Sequence, residues 1–444
     1  MGPRKRRIPM ARRPSLSGAA LGRRLNGEAA LPTDSAGNLI WPFAAMSRHA
    51  VIFGGSGTGK TETAMRIALE VAEGTDAPIY YLDAKGDRSS AERFSALMRL
   101  AGRDVKVFPN QRFDGWRGDW RSIVNRLLEV VSFVSEGPAA YYRDIAKTAL
   151  RLACNHPDGP PRCSADLLHR LDYEQILSAH GPCSAALALS SEKVSQVRMR
   201  YEAFFGQLGS ALDGDWSWED TDAGYFLLDS VALGEDTAGA ASLLFSDFSH
   251  YFTQRKALDR SCLCVIDEFS AIASTSDLAM KVEQARGFRT SLILVPQTPT
   301  GLGSIAQRQR ILGSVETVLV HAVNEPDEIA ALAGCKRTPE ITYRLPQRAP
   351  EREQLVRWRE APKIDPDQIR ELDTGAAWVI RRGRACRVMI KPAPGVAPLK
   401  LPESMPLDSE LRPIEEAAPR AVSYLEDSPD TSSHGIAYLE EDGD

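Results

Sequence analysis

Residues Ala50 to Arg66 read AVIFGGSGTGKTETAMR, and no other stretch of the chain constrains the fold as tightly. Ala50, Val51, Ile52 and Phe53 run straight into Gly54-Gly55-Ser56-Gly57-Thr58-Gly59-Lys60-Thr61, and Glu62, Ala64, Met65, Ile67, Ala68 and Leu69 follow as a helix-favouring run. The order predicts strand, phosphate loop, helix. Glycines 54, 55, 57 and 59 let the backbone turn its N–H groups around a phosphate chain, and the helix adds the positive end of its dipole. In that setting Lys60 reaches the β- and γ-phosphates and the Thr61 hydroxyl ligates Mg²⁺. Residues Gly54 to Glu62 are therefore the expected nucleotide site, with ATP and Mg²⁺ as cofactors. A Gly-rich surface turn explains neither the apolar run before the loop nor the helix after it.

The flanking pattern extends this unit into an α/β fold. Strands are expected at Ile79–Asp83 and Val105–Phe108, with a helix at Ser90–Leu100 between them. Strands alternating with helices of this length imply a mostly parallel central sheet covered on both faces, with ligands at the carboxyl ends of the strands. From about Trp120 to Asp215 apolar residues recur at three- and four-residue spacing without a strand between them, which predicts an all-helical insertion. The sheet resumes at Gly224–Asp229, and a helix over Thr237–Ala257 leads to Cys262-Leu263-Cys264-Val265-Ile266-Asp267-Glu268.

That last strand delivers two carboxylates at its carboxyl end. Asp267 is placed to hold Mg²⁺ through water, together with Thr61, and Glu268 to polarise the water that attacks the γ-phosphate. A helix over Asp277–Phe288 precedes the strand Ser291–Val295, which ends at Pro296-Gln297-Thr298. An amide at the tip of the neighbouring strand can sense the γ-phosphate or orient the lytic water, though Gln297 reads equally as a loop residue. Arg286 lies between the Asp-Glu strand and this sensor strand, close to where a subunit edge could meet the next site, with Arg289 as its rival. Helix Ile305–Leu312, strand Val315–Val320 and helix Pro326–Ala333 follow, then a Pro-rich crossing from Arg337 to Pro366. A hairpin of Ala376–Ile380 with Cys386–Ile390 closes the core.

Charge is distributed unevenly. Residues 1 to 24 carry eight Arg or Lys and no acid, whereas residues 403 to 444 carry twelve acids against Arg412 and Arg420. Both ends read as disordered tails, the first basic and the second acidic, with Tyr424-Leu-Glu-Asp echoed at Tyr438-Leu-Glu-Glu. Seven scattered cysteines suit reduced, buried thiols and exclude a disulfide scaffold. No long apolar window predicts a membrane span. The expected organisation is a basic arm (1–30), the first part of a nucleotide-binding domain (31–119), an all-helical insertion (120–215), the second part of that domain (216–392) and an acidic tail (393–444).

With Asp83-Ala-Lys-Gly-Asp87, the helical insertion, Val-Ile-Asp-Glu at 265–268, Ala285-Arg286-Gly287 and Val295-Pro-Gln297 in order after the phosphate loop, residues 38 to 392 resemble the type IV coupling proteins. These are hexameric RecA-like P-loop NTPases of the FtsK-HerA superfamily, which feed DNA or protein into type IV secretion channels. The resemblance implies a homo-hexameric ATPase that translocates DNA, most readily single-stranded DNA with a bound relaxase, in conjugative transfer. It implies that Lys60 and Thr61 bind nucleotide and Mg²⁺, that Asp267 and Glu268 form the acidic motif, that Gln297 is the sensor glutamine, and that Arg286 reaches a neighbour's γ-phosphate. Family members typically begin with two transmembrane helices. This sequence shows only a basic arm there, so the expected location is cytoplasmic, peripheral at the inner membrane face, through secretion-channel components or an anchor protein. An ATP-dependent receptor for protein substrates and a nucleotide-gated scaffold are the competing functions. Glu268 argues against the scaffold, since holding nucleotide needs no water-orienting carboxylate.

Overall fold

The structure is a computed structural model that describes residues 18–402 apart from 46–47, 131–137, 230–232, 235, 255–259, 274–277 and 345–352. Its centre is a sheet of eleven strands: β1 (Gly18–Gly27), β2 (Asn38–Pro42), β3 (Ala50–Phe53), β4 (Ile79–Asp83), β5 (Val105–Phe108), β6 (Ala223–Leu227), β7 (Cys262–Asp267), β8 (Thr290–Val295), β9 (Thr317–Val320), and, beyond a separate ribbon, β12 (Ala376–Arg381) and β13 (Arg384–Ile390). The spatial order is β2-β1-β13-β12-β9-β3-β8-β7-β4-β6-β5. Pairings from β9 to β5 are parallel, and those from β12 to β2 antiparallel. The α/β expectation with a mostly parallel sheet thus holds.

Strand alternation divides the interior into two layers. In β3, Val51 and Phe53 join one core while Ala50 and Ile52 join the other, and in β4 Tyr80 and Tyr81 part in the same way. Burial on both faces explains why these strands read as unbroken apolar runs. The phosphate-loop helix (Lys60–Gly74) and the next helix (Arg88–Leu100) cover one face. Helices Asp236–Gln254 and Leu278–Gly287 cover the other.

Among the described residues the insertion forms six helices between Trp120 and Leu208, namely Trp120–Val130, Pro138–Cys154, Ser164–Arg170, Tyr173–His180, Ser184–Leu187 and Ser191–Leu208. It is helical as expected, but its described buried residues share the core of one sheet face. Ile123, Leu150, Leu167 and Phe205 belong to the same buried cluster as Phe226 of β6 and Phe248 of the helix beneath it. Its rigidity and that of the sheet are therefore linked.

Three boundaries differ from the sequence reading. The basic arm is shorter than residues 1–30, because residues 18–27 form β1, with Ala19 and Leu21 buried and Arg23 and Arg24 exposed in the strand. The small residues of Gly18-Ala-Ala-Leu-Gly22 fit between β2 and β13, a pairing invisible before the distant β13 is in place. The other six cations of the arm, and both Tyr-Leu-Glu motifs, lie outside the described residues. The acidic tail likewise begins later than residue 393. Residues 391–402 run over the two helices of the first face: Ala393 N donates to Glu62 (2.6 Å), Leu401 N donates to Glu92 (3.2 Å), and Arg88 donates to the Leu401 carbonyl (2.7 Å). Lastly, the Pro-rich crossing contains a two-stranded antiparallel ribbon, β10 (Cys335–Arg344) with β11 (Glu353–Pro362). Pro339 sits within it, tolerated because the ribbon is all edge.

Candidate active site

The carboxyl ends of β3, β8, β7 and β4 lie side by side, and every residue of the Asp-Glu and sensor motifs arrives there on a strand tip. The phosphate loop follows β3. Gly57 and Gly59 take positive φ values of 75° and 111°, and Gly59 caps the helix that starts at Lys60. A Cβ on Gly54 would come within 2.6 Å of the Thr58 hydroxyl, so the loop closes only around a bare α-carbon. The Lys60 ammonium donates to the carbonyls of Gly54 (2.6 Å) and Gly55 (2.9 Å), while Thr58 Oγ1 donates to the Gly55 carbonyl (2.8 Å). Burial lowers the Lys60 pKa, with Lys85 adding to the shift, against the opposing pull of the Asp267 and Glu268 carboxylates.

Asp267 is the hub across the sheet. Its Oδ2 accepts from Thr61 Oγ1 (3.0 Å) and from the Tyr81 hydroxyl (2.8 Å), and its Oδ1 accepts from the Glu268 N–H (3.0 Å). Burial raises its pKa, and the hydrogen bonds from Tyr81 and Thr61 oppose that rise. Glu268, the next residue, sits in the left-handed region (φ 55°, ψ 53°), a conformation that costs a non-glycine residue about 1–3 kcal/mol and marks functional turns. Its carboxylate accepts from Ser270 Oγ (2.7 Å) and from Gln297 Nε2 (3.2 and 3.4 Å). Gln297 also bridges to the loop, its backbone carbonyl accepting from Gly54 N–H (3.3 Å). Because β8 lies between β3 and β7, this one residue touches both the loop and the acidic pair.

A thiol-free hydroxyl and carboxylate pair, Thr61 with Asp267, offers the hard oxygen donors that Mg²⁺ takes when phosphate oxygens and waters complete its shell. The residues present thus fit Mg²⁺ with a nucleotide. Glu62 is placed otherwise. Its carboxylate accepts from Arg93 (2.8 Å) and from Ala393 N–H, tying the loop helix to its neighbours instead of facing the loop. Arg286 and Arg289 are also apart from this chain's own site. Arg286 is exposed at the end of its helix, and its charge is felt by His49, which precedes β3 at the end opposite the phosphate loop. Arg289 precedes β8 on the same side.

Two supports escaped the sequence reading. Tyr81 and Tyr225 stack (centroids 5.0 Å, interplanar 9°), one hydroxyl on Asp267 and the other on Asp83 (2.7 Å), whose carboxylate also accepts from the N–H groups of Lys85, Gly86 and Asp87. His321, fully buried just past β9, meets Thr63 Oγ1 through Nε2 (2.9 Å) and donates from Nδ1 to the Ala376 carbonyl (2.8 Å). Burial lowers its pKa to about 4, so the ring is neutral at pH 7. Polar residues closing apolar strands were the only available signal for either.

Comparison of the fold gives a consistent answer. The chain superposes on the bacterial conjugative coupling protein TrwBdeltaN70 with a TM-score of 0.62 at 15% identity, covering 89% of this chain and 97% of that one. The chain carries the coupling-protein fold. TrwB in complex with ADP and Mg²⁺ matches this fold at a TM-score of 0.60 (16% identity, 88% and 98% of the two chains), and VirB4 of Thermoanaerobacter pseudethanolicus at 0.56 (14%, 85% and 97%). No protein-family model matches the chain, and no curated protein matches its sequence. Among the described residues of this coupling-protein fold, no helix is long and apolar enough to cross a membrane.

Proposed function

We propose that the chain is an ATPase that binds ATP with Mg²⁺ at Gly54–Thr61 and works as a homo-hexameric ring motor, moving single-stranded DNA, with a bound relaxase, in conjugative transfer through a type IV secretion system. The observation that carries this reading is the contact set of Gln297, which joins the phosphate loop to Glu268, beside the Thr61–Asp267 pair. Nucleotide binding alone has no use for a carboxylate held at that position.

Hydrolysis would proceed by in-line attack of water on the γ-phosphate. Lys60 exchanges its loop carbonyls for phosphate oxygens and offsets their charge. Glu268, oriented by Ser270 and Gln297, accepts a hydrogen bond from the water and aligns it. Bound Mg²⁺ would supply further charge neutralisation, held by Thr61 and, through water, by Asp267. Arg286 lies at the opposite end of the strands from its own site, which suits a role at the neighbour's γ-phosphate across a ring interface. The fold shared with TrwB, a conjugative coupling protein, supports the cargo assignment.

The test is ATP turnover by the purified chain with and without single-stranded DNA, together with its mass in solution with nucleotide. DNA-stimulated turnover by a hexamer is the expected result. Turnover indifferent to DNA would favour a receptor for protein substrates, and absence of turnover would refute the enzyme.

A further inference from the structure

Glu62 is the third residue of the helix that Gly59 caps. A glutamate at that position of a helix can reach back to the backbone N–H of the capping residue. Here the capping residue belongs to the phosphate loop, whose N–H groups are the donors that phosphates take. A carboxylate reaching back would compete with the nucleotide for a donor and set a like charge beside it.

The structure turns Glu62 aside. Its two oxygens meet two guanidinium nitrogens of Arg93, at 2.8 and 2.5 Å, in the bidentate manner that makes such pairs directional. Oε1 also accepts from the Ala393 N–H (2.6 Å). Arg93 belongs to the neighbouring helix Arg88–Leu100, and Ala393 to the extended segment 391–402. Prolines at 392, 394, 398 and 402 keep that segment out of helix and ladder, so its remaining N–H groups turn to the helices it crosses. Leu399 N–H donates to the Glu92 carbonyl (3.3 Å) and Leu401 N–H to the Glu92 carboxylate (3.2 Å), while Arg88 donates to the carbonyls of Leu401 (2.7 Å) and Pro402 (2.8 Å). Ala393 and Leu401 are both buried. The segment is a strap fastened at both ends, and its first fastening is the acid that follows Thr61.

We propose that Arg93 and the 391–402 strap position Glu62 away from the phosphate loop, and that seating of the strap and binding of a nucleotide with Mg²⁺ favour each other. The inference rests on the nucleotide site at Gly54–Thr61 and adds the groups that control its affinity. With the strap seated, the loop donors are left to the phosphates. With it unseated, Glu62 has one partner fewer and competes for the loop, so the nucleotide binds more weakly. Linkage makes the effect reciprocal, and bound nucleotide holds the strap in place.

The experiment titrates the full chain with a fluorescent ADP in the presence of Mg²⁺. Arg93→Ala should weaken binding about threefold to tenfold, the range for one charge released in a partly exposed site. Ala393→Pro, which removes the N–H donor, should weaken it about threefold. Adding Glu62→Ala to either variant should bring affinity back to within about twofold of the wild type, because no carboxylate remains to compete. In the wild type, saturating ADP with Mg²⁺ should slow amide hydrogen exchange over residues 391–402, and in Glu62→Ala/Arg93→Ala it should not. Thermal midpoints show whether each variant is folded. A loss in Arg93→Ala that Glu62→Ala fails to restore would mean that Arg93 only braces the two helices, and would overturn the proposal. So would wild-type affinity in the folded Arg93→Ala variant, or exchange of the strap that ignores nucleotide. These outcomes leave the ATPase reading standing, whereas a wild type that binds no nucleotide would refute both.

Discussion

Replacing Tyr81 by Phe removes one hydrogen-bond donor from Asp267 and nothing else of size. The ring remains stacked on Tyr225, and Thr61 and the Glu268 N–H still reach the carboxylate. A hydrogen bond to a charged group contributes about 1.5–3 kcal/mol, and about 1.4 kcal/mol corresponds to one pKa unit. With the other donors retained, the lower end applies, and the Asp267 pKa, already raised by burial, should climb further. The sign follows. Tyr81 favours the ionised form, so its loss shifts the acid limb of ATP turnover to higher pH, with little change on the alkaline side. Stability should fall by about 1–3 kcal/mol at pH 7.5, as the ionised carboxylate loses a partner, and the deficit should shrink as the pH falls through the raised pKa and Asp267 takes up its proton. Turnover profiles and urea midpoints at pH 7.5 and 5.5 measure both effects. A variant whose acid limb superimposes on that of the wild type would refute the assignment of Tyr81 as a support of Asp267.

Glu268→Gln should retain nucleotide affinity while turnover falls about 10²–10⁴-fold, the usual contribution of a positioned base; nucleotide binding by calorimetry beside turnover separates the two effects. Arg286→Ala should abolish hydrolysis, and mixed rings with Glu268→Gln subunits should regain part of it, because the two defects fall at different interfaces; mixtures with no recovered turnover would remove Arg286 from a role in trans. His321→Ala should weaken nucleotide binding more than it lowers maximal turnover, since the lost contact braces Thr63 in the loop helix and not the attacking water. His321→Gln, which restores a hydrogen-bonding partner for Thr63, should recover part of the affinity.

The sequence alone determined the parts of this protein whose physics is local. Four glycines, a lysine and a threonine between an apolar run and a helix can do little but wrap a phosphate, and the structure shows that loop at a strand tip. Strands buried on both faces announced themselves as apolar runs, and the hairpin over residues 376–390 by two β-rich segments joined across Arg382 and Gly383, both at positive φ. Tertiary structure decided what depends on distant partners. Whether Gly18–Gly27 was tail or strand depended on β13, more than 350 residues away. Glu62 looked like part of the nucleotide site until Arg93 and Ala393 came within reach. Tyr81, Tyr225 and His321 could be recognised as supports only when folding set their polar atoms against Asp267, Asp83 and Thr63. The order of β3, β8 and β7 matters most. Linear spacing placed Gln297 and Glu268 on separate strands, and only the insertion of β8 between the other two lets one glutamine touch the phosphate loop and the Glu268 carboxylate together.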